Sequence, residues 1–244
     1  ISEYIAIGGT AICGMVGVKV ATSMVGSLRR LSAEQRLVRA RGYALRAELN
    51  RHAVSSNNAS SSEAWLGWRK FRLESKELEA EGCHSLTFIP HDGQAIPGFH
   101  PGQFLTFSVR IPGESKPVVR CYSLSDAPGK NSYRCTIKTV PATNGAPPGR
   151  VSQYFNEVIQ VGDIVDVKAP SGKFYLDMST EEPAVLIAGG VGITPMVSML
   201  NAVIDTNSRR EVYLFCGFRN RKDHLFYKHL QRAAANHSNV NLHV

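Results

Sequence analysis

Apolar positions fall into three textures along this chain. Residues 4–28 form an apolar run broken by one charge, Lys19. At about 1.5 Å per helical residue, such a run exceeds a hydrocarbon core of about 30 Å, so residues 1–28 read as a single transmembrane helix. Gly9, Cys13, Gly17 and Ala21 recur every fourth residue, a stripe of small side chains that admits a close helix neighbour. Leu31, Leu37, Val38, Leu45 and Leu49 then alternate with charged residues and alanines, as in an amphipathic helix. A Ser/Asn-rich stretch, 55–62, reads as a flexible linker and closes a second segment over 29–62.

The second texture, between 65 and 167, consists of short β-rich runs separated by turn pairs such as Pro97-Gly98, Pro101-Gly102 and Pro112-Gly113. Strands are predicted over 71–74, 85–89, 104–109, 133–138 and 163–167, with a short helix over 152–158. This spacing fits an antiparallel barrel or sandwich. After Pro183 the texture changes again. The continuous apolar run 184–188 predicts a strand buried on both faces, followed by glycines and a helix reaching Ile204. A second strand (211–216), a second helix (223–235) and a third strand from Val240 complete a strand–helix alternation, the pattern of a doubly wound parallel sheet. The expected architecture is therefore β + α/β: an antiparallel β-barrel domain over 63–180, then a nucleotide-binding α/β domain over 181–244, behind a helical N-terminal segment. The start at Ile1 and the stop inside the third strand lead us to expect a fragment of a longer protein.

Composition narrows the field. A hydrophobic fraction of 43% with 20% charged residues is that of a globular protein. Five cysteines, none at C-x-x-C spacing, exclude a disulfide scaffold and argue against a zinc or iron–sulfur site within these residues. The net charge of +8 is concentrated: between 29 and 51 there are seven arginines and two glutamates. An arginine excess beside an apolar span marks the cytoplasmic side, so a single-pass membrane protein with its folded domains in the cytoplasm is expected. With no heptad zipper and no base-reading motif, nucleic acid is not an expected partner.

Candidate chemistry lies in three places. Gly189, Gly190 and Gly192 directly follow a strand, with Thr194 and Pro195 opening the next helix. Such a turn lets backbone approach a phosphate at the helix N-terminus, although a tight strand–helix turn without a ligand has the same sequence. After the second strand, Arg219 and Arg221 offer two guanidiniums with no acid beside them to hold a ribose diol, which tilts the reading toward a 2′-phosphate. A solvated loop is the plain alternative. In the β region, Arg120, Cys121, Tyr122 and Ser123 present a charge, an aromatic plane and a hydroxyl on one strand. Alternation directs Arg120 and Tyr122 to one face and Ser123 to the other. Gly149, Arg150, Val151 and Ser152 sit where the short helix begins, either as a phosphate cradle or as a helix start capped by Ser152.

In their order, Phe99-His100-Pro101-Gly102-Gln103-Phe104, R-C-Y-S at 120–123, G-R-V-S at 149–152 and G-G-V-G-I-T-P-M at 189–196 closely resemble the ferredoxin–NADP reductase superfamily. The resemblance runs from about Trp65 to Val244 and is nearest the reductase modules of flavohaemoglobins and iron–sulfur oxygenase reductases. It implies that Arg120 meets the phosphates of FAD, that Tyr122 packs on its isoalloxazine and that Ser123 hydrogen-bonds near N5. It also implies that Ile137, Lys138 and Val140 line the flavin and that Gly149, Arg150, Val151 and Ser152 hold its pyrophosphate. Residues 189–195 would bind NAD(P)H, NADPH being slightly favoured, with Thr194 near the hydride path. The implied activity is hydride transfer from NAD(P)H to FAD, followed by single-electron transfer to an iron–sulfur acceptor. Any [2Fe-2S] group lies outside these residues. Two alternatives stand beside it: the reductase part of a nitric oxide dioxygenase, and a membrane-anchored flavin-binding assembly or sensor subunit.

Overall fold

The computed structural model describes residues 64–143 and 145–244. The expected transmembrane helix (1–28), basic helix and linker (29–62) lie outside the described residues. Among the described residues, no helix is long and apolar enough to cross a membrane.

Six strands form an antiparallel sheet: β1 (Arg69–Ala80), β2 (Cys83–Pro90), β3 (Phe104–Val109), β4 (Val118–Ser123), β5 (Tyr133–Lys138) and β6 (Ile164–Ser171). Their order is β4-β3-β6-β1-β2-β5, and a bridge between Leu124 and Cys135 joins the two ends into a barrel. Alternation sets the inner face. Phe71 and Leu73 of β1 and Leu105, Phe107 and Val109 of β3 are buried, while Arg72 and Glu74 between them are exposed. The helix expected at 152–158 begins earlier, as α1 (Arg150–Gln153), and continues as a π-helical turn (Tyr154–Val158). That turn drives Phe155 into the barrel, edge-on to Phe107 at 5.3 Å between ring centroids.

The second sheet is parallel, in the order β7 (Ala184–Gly189), β8 (Val212–Gly217), β9 (Val240–His243), with α2 (Ile193–Asp205) and α3 (Tyr227–Asn236) as crossovers. Ala184, Leu186, Val212, Leu214 and Val240 share one core with Leu200 and Val203 of α2 and Leu230 and Ala233 of α3. Expected burial of β7 on both faces is corrected here. Val185 is 62% and Ile187 71% exposed, because the described helices cover only the other face of the sheet.

Residues 61–244 form one compact unit. The barrel and the parallel sheet are stitched together at Asp126, between β4 and β5. Its carboxylate pairs with Lys130 at 2.8 Å and Arg134 at 3.8 Å and accepts from Asn201 Nδ2 of α2 at 2.9 Å. Its carbonyl accepts from Ser198 Oγ at 2.7 Å. With Asn201 Nδ2 committed to the carboxylate, Asn201 Oδ1 accepts from His229 Nε2 of α3 at 2.6 Å. Burial, the largest influence on Asp126, pushes its pKa up. The Arg134 charge and the hydrogen bonds from Lys130, Asn201 and the Ala127 N–H outweigh it and hold the carboxyl below its ordinary value. Burial, reinforced chiefly by Arg134, lowers the pKa of His229 and keeps the imidazole neutral.

Two pH limbs follow. The depressed Asp126 contributes stability that is full above its unfolded pKa of about 4 and is lost as pH falls through the folded value. Thermal unfolding of Asp126→Asn will lose this acid limb, and Asp126→Ala will cost about 2–3 kcal/mol at pH 7 by stranding its buried partners. His229, also depressed, contributes stability that is full above an unfolded pKa of about 6.5 and declines as pH falls below it. In His229→Gln, which keeps an N–H for Asn201, that earlier decline will disappear. Melting curves of either variant that parallel the parent from pH 3 to 8 would refute the assignment.

Candidate active site

A cavity of about 460 Å³ opens where the barrel meets the N-terminus of α2. The barrel contributes Arg120, Cys121, Tyr122, Ser123, Thr136, Ile137, Lys138, Val140 and the start of α1 from Gly149 to Ser152. The parallel sheet contributes Val191, Gly192, Thr194 and Pro195. All four residues 120–123 reach the cavity, although strict alternation sends Ser123 away from Tyr122. β4 is the last strand in the sheet order, so the cavity wraps around its free edge and meets both faces.

A second cavity, of about 590 Å³, lies beyond it and shares Lys138, Val140 and Val191 as walls. Gly189, Gly190, Gly217, Phe218, Arg219 and Asp223 complete its lining. Of the residues expected to hold a cofactor, Arg221 lines neither cavity, and the 99–104 motif lies outside both as well. The Arg221 guanidinium instead lies over the Tyr227 ring, 5.7 Å from the centroid. The expectation of no acid near Arg219 is also corrected, since Asp223 lines the same cavity and holds Lys138 Nζ at 2.6 Å. The hydrogen bond from Lys138 lowers the Asp223 pKa. A local signal for this acid exists in the sequence: Asn220 caps the turn by accepting from the Lys222 and Asp223 N–H groups, an N-x-x-D capping pattern. Thr136, Thr139, Pro141 and Phe218 also line the cavities and carry no such motif.

Local chemistry fixes the remaining groups. Ser152 is not the N-cap; Gly149 occupies that position. Ser152 Oγ donates to Gly149 O at 2.8 Å and accepts from Val140 N at 3.1 Å, which pins the loop before α1 to the end of β5. A Cβ at Gly149 would stand 2.7 Å from Ser152 Oγ and 2.9 Å from Val140 Cβ, so this close approach requires glycine. Arg120 is exposed and uses Nη1 on the Val119 carbonyl, while Arg150 pairs with Glu114. Burial raises the Tyr122 phenol to about 12, so the ring stays neutral while it packs edge-on against Phe107 and Phe155.

These residues suit a flavin and a pyridine dinucleotide. Added Cβ atoms at Gly189, Gly190 and Gly192 would meet nothing within 4 Å, so the backbone there faces open space rather than packed neighbours. No side chain caps the first turn of α2; the Ile193 N–H donates instead to Gly190 O and Val191 O of the preceding turn.

Comparison with known proteins agrees with this geometry. Residues 70–175 match the oxidoreductase FAD-binding domain and residues 186–244 the oxidoreductase NAD-binding domain. Flavohemoproteins of Halalkalibacterium halodurans and Bacillus cereus are each 40% identical over 74% and 71% of this chain. The chain spans less than half the length of these relatives, 44% and 43% respectively. Among solved structures, the flavohem-like FAD/NAD binding domain of nitric oxide dioxygenase from Vibrio cholerae is 30% identical with a TM-score of 0.65, over 71% of this chain and 72% of that one. Phthalate dioxygenase reductase is 29% identical with a TM-score of 0.60, over 72% of this chain and 51% of that one. With its antiparallel barrel, its parallel nucleotide-binding sheet and both domain matches, the chain belongs to the FAD- and NAD-binding oxidoreductases of the ferredoxin–NADP reductase superfamily.

Proposed function

We propose that this chain is the reductase module of an electron-transfer protein, taking hydride from NAD(P)H with FAD and passing electrons singly to an acceptor held elsewhere. The observation that carries this reading is the pair of adjoining cavities, one walled by Arg120, Tyr122 and Gly149, the other by Gly189, Gly190 and Arg219. When bound, FAD supplies the hydride acceptance and single-electron release that no side chain offers.

The protein's own part is binding and orientation. Arg120 and the backbone N–H groups at the start of α1 would hold the flavin phosphates with positive charge and donors, the Gly149 N–H being already engaged with Val140 O at 2.9 Å. Tyr122 gives an uncharged aromatic wall, and Ser123 a hydroxyl beside it. Ile137, Lys138 and Val140 line the floor. Gly192, Thr194 and Pro195 bring the start of α2 to the same cavity, so a nicotinamide seated there shares the space with the flavin ring. The Thr194 hydroxyl is already engaged with Val191 O at 3.1 Å, which fixes the turn before hydride transfer. Preference for NADPH rests on Arg219 alone, since Arg221 is turned to Tyr227.

Two acceptors fit. Phthalate dioxygenase reductase, described as transferring electrons from pyridine nucleotides to [2Fe-2S], supports an iron–sulfur acceptor. The 40% identity to flavohemoproteins supports the second reading, a haem acceptor in a nitric oxide dioxygenase. The apolar stretch 4–28 and its arginine flank support tethering to a membrane with the module on the cytoplasmic side.

Purified full-length protein will carry or take up FAD, and its visible absorption will bleach anaerobically with NADH or NADPH. A chain that binds no flavin, or holds it without reduction, contradicts the proposal, and the second outcome favours an assembly subunit. A haem absorption band in the full-length protein, rather than an iron–sulfur signal, selects the second acceptor. Arg120→Ala will weaken FAD binding by about tenfold or more, through loss of a charge-assisted contact. Gly149→Val will abolish FAD retention because its side chain has no room beside Val140 and Ser152; retention at the parental level would disprove this role for the turn.

A further inference from the structure

One feature at the first cavity has no part in holding a cofactor. Thr136 of β5 lines that cavity yet is buried, and its Oγ1 lies 2.8 Å from Ser85 Oγ on the paired strand β2. Ser85 Oγ in turn donates to Glu79 Oε1 of β1 at 2.6 Å. On the other side, Ser125 Oγ lies 2.8 Å from Thr136 Oγ1. Glu79 is half-buried, so the row leads from Thr136 across one face of the β5–β2–β1 strands to a solvent-reaching carboxylate.

The carboxylate gives the row a direction. An ionised carboxylate only accepts, so the Ser85 proton points at Glu79. Ser85 Oγ, having one proton, must then accept from Thr136, and Thr136 must accept from Ser125 or from the cavity. The Thr136 and Ser85 O–H groups are thus aligned toward Glu79, the arrangement along which a proton can pass by successive transfers, while the Ser125 hydroxyl also reaches Arg134 O at 3.3 Å. Register makes it possible: Ser85 stands directly opposite Thr136, and Glu77, two residues before Glu79, stands opposite Ser85.

We propose that Thr136 and Ser85 form a proton relay from the first cavity to Glu79, with Thr136 and Ser85 as positioning residues for the electron-transfer reaction. This rests on the function proposed above. That reaction converts one NAD(P)H and two oxidised one-electron acceptors into NAD(P)⁺, two reduced acceptors and one proton, which has to leave a cavity walled by both sheets. In the relay, a proton from the cavity forms an O–H bond to Thr136 Oγ1 as the Thr136 proton moves to Ser85 and the Ser85 proton to Glu79. Glu79 releases it to water, and the hydroxyls return to their starting directions.

The test uses the full-length chain and the variants Glu79→Gln, Ser85→Ala, Thr136→Val and Thr136→Ser. In the flavin-free protein with ¹³C-labelled glutamate, Thr136→Val will shift the Glu79 carboxylate resonance although the two residues do not touch, and Thr136→Ser will leave it in place. With FAD bound, single-turnover reduction of ferricyanide after NADH will slow by about tenfold or more in Ser85→Ala and Glu79→Gln, the lower end of what positioned proton transfer contributes. Its solvent deuterium isotope effect will rise, and Thr136→Ser will recover the parental value. Rates and isotope effects equal to the parent in Ser85→Ala and Glu79→Gln overturn the relay alone. So does a lowered melting temperature without either change, the mark of a merely structural hydroxyl row. A parent chain that binds no FAD, or is not reduced by NADH or NADPH, overturns the functional reading and the relay with it.

Discussion

The half-buried carboxylate of Asp126 is the constraint on which the rest of the site depends. It sits in the loop between two barrel strands, yet its partners include a side chain of the first helix of the parallel sheet and, through Asn201, a histidine of the second. Ionic and hydrogen-bonded partners on every side let it remain charged where burial alone would neutralise it. Because the same helix that binds Asp126 also lines the first cavity with Thr194 and Pro195, this anchor bears on how far the start of α2 stands from Tyr122. A second tie, Lys138 to Asp223, fixes the far cavity by the same means.

Much of this organisation was legible in the chain. The strands at 104–109 and 133–138 appear where alternating apolar side chains predict them, because one barrel face is buried and the other is not. The motifs at 120–123, 149–152 and 189–195 point to residues that line the two cavities, since glycines and an R-x-Y-S strand mark close backbone placement. The errors have physical origins as well. Run 184–188 reads as doubly buried because periodicity reports side-chain polarity, not which neighbours a sheet has; Val185 and Ile187 are apolar and open. Ser152 has the composition of an N-cap but lies inside the first turn, where its hydroxyl serves the loop instead. Arg221 turns to Tyr227 and Asp223 lines the cavity because a short capped turn, not strand alternation, aims them.

The site illustrates a division of labour between charge and space. Arg120 and Arg150 line the first cavity and Arg219 the second, whereas Tyr122 contributes a neutral ring and Gly189, Gly190 and Gly192 bare backbone. Such a crevice contributes orientation and exclusion of water, and leaves redox chemistry to the groups it holds. Similar modules occur both in flavohemoproteins and in phthalate dioxygenase reductase.

The central claim is that flavin and nicotinamide meet face to face in the crevice between the two sheets. Long-wavelength absorption of the FAD-loaded protein, recorded while NAD(P)H is added without oxygen, tests it most directly. A transient charge-transfer band, weakened in Thr194→Val and in Tyr122→Leu, is the result the account predicts. Flavin reduction with no such band in the parent protein, or a band indifferent to both substitutions, would contradict it.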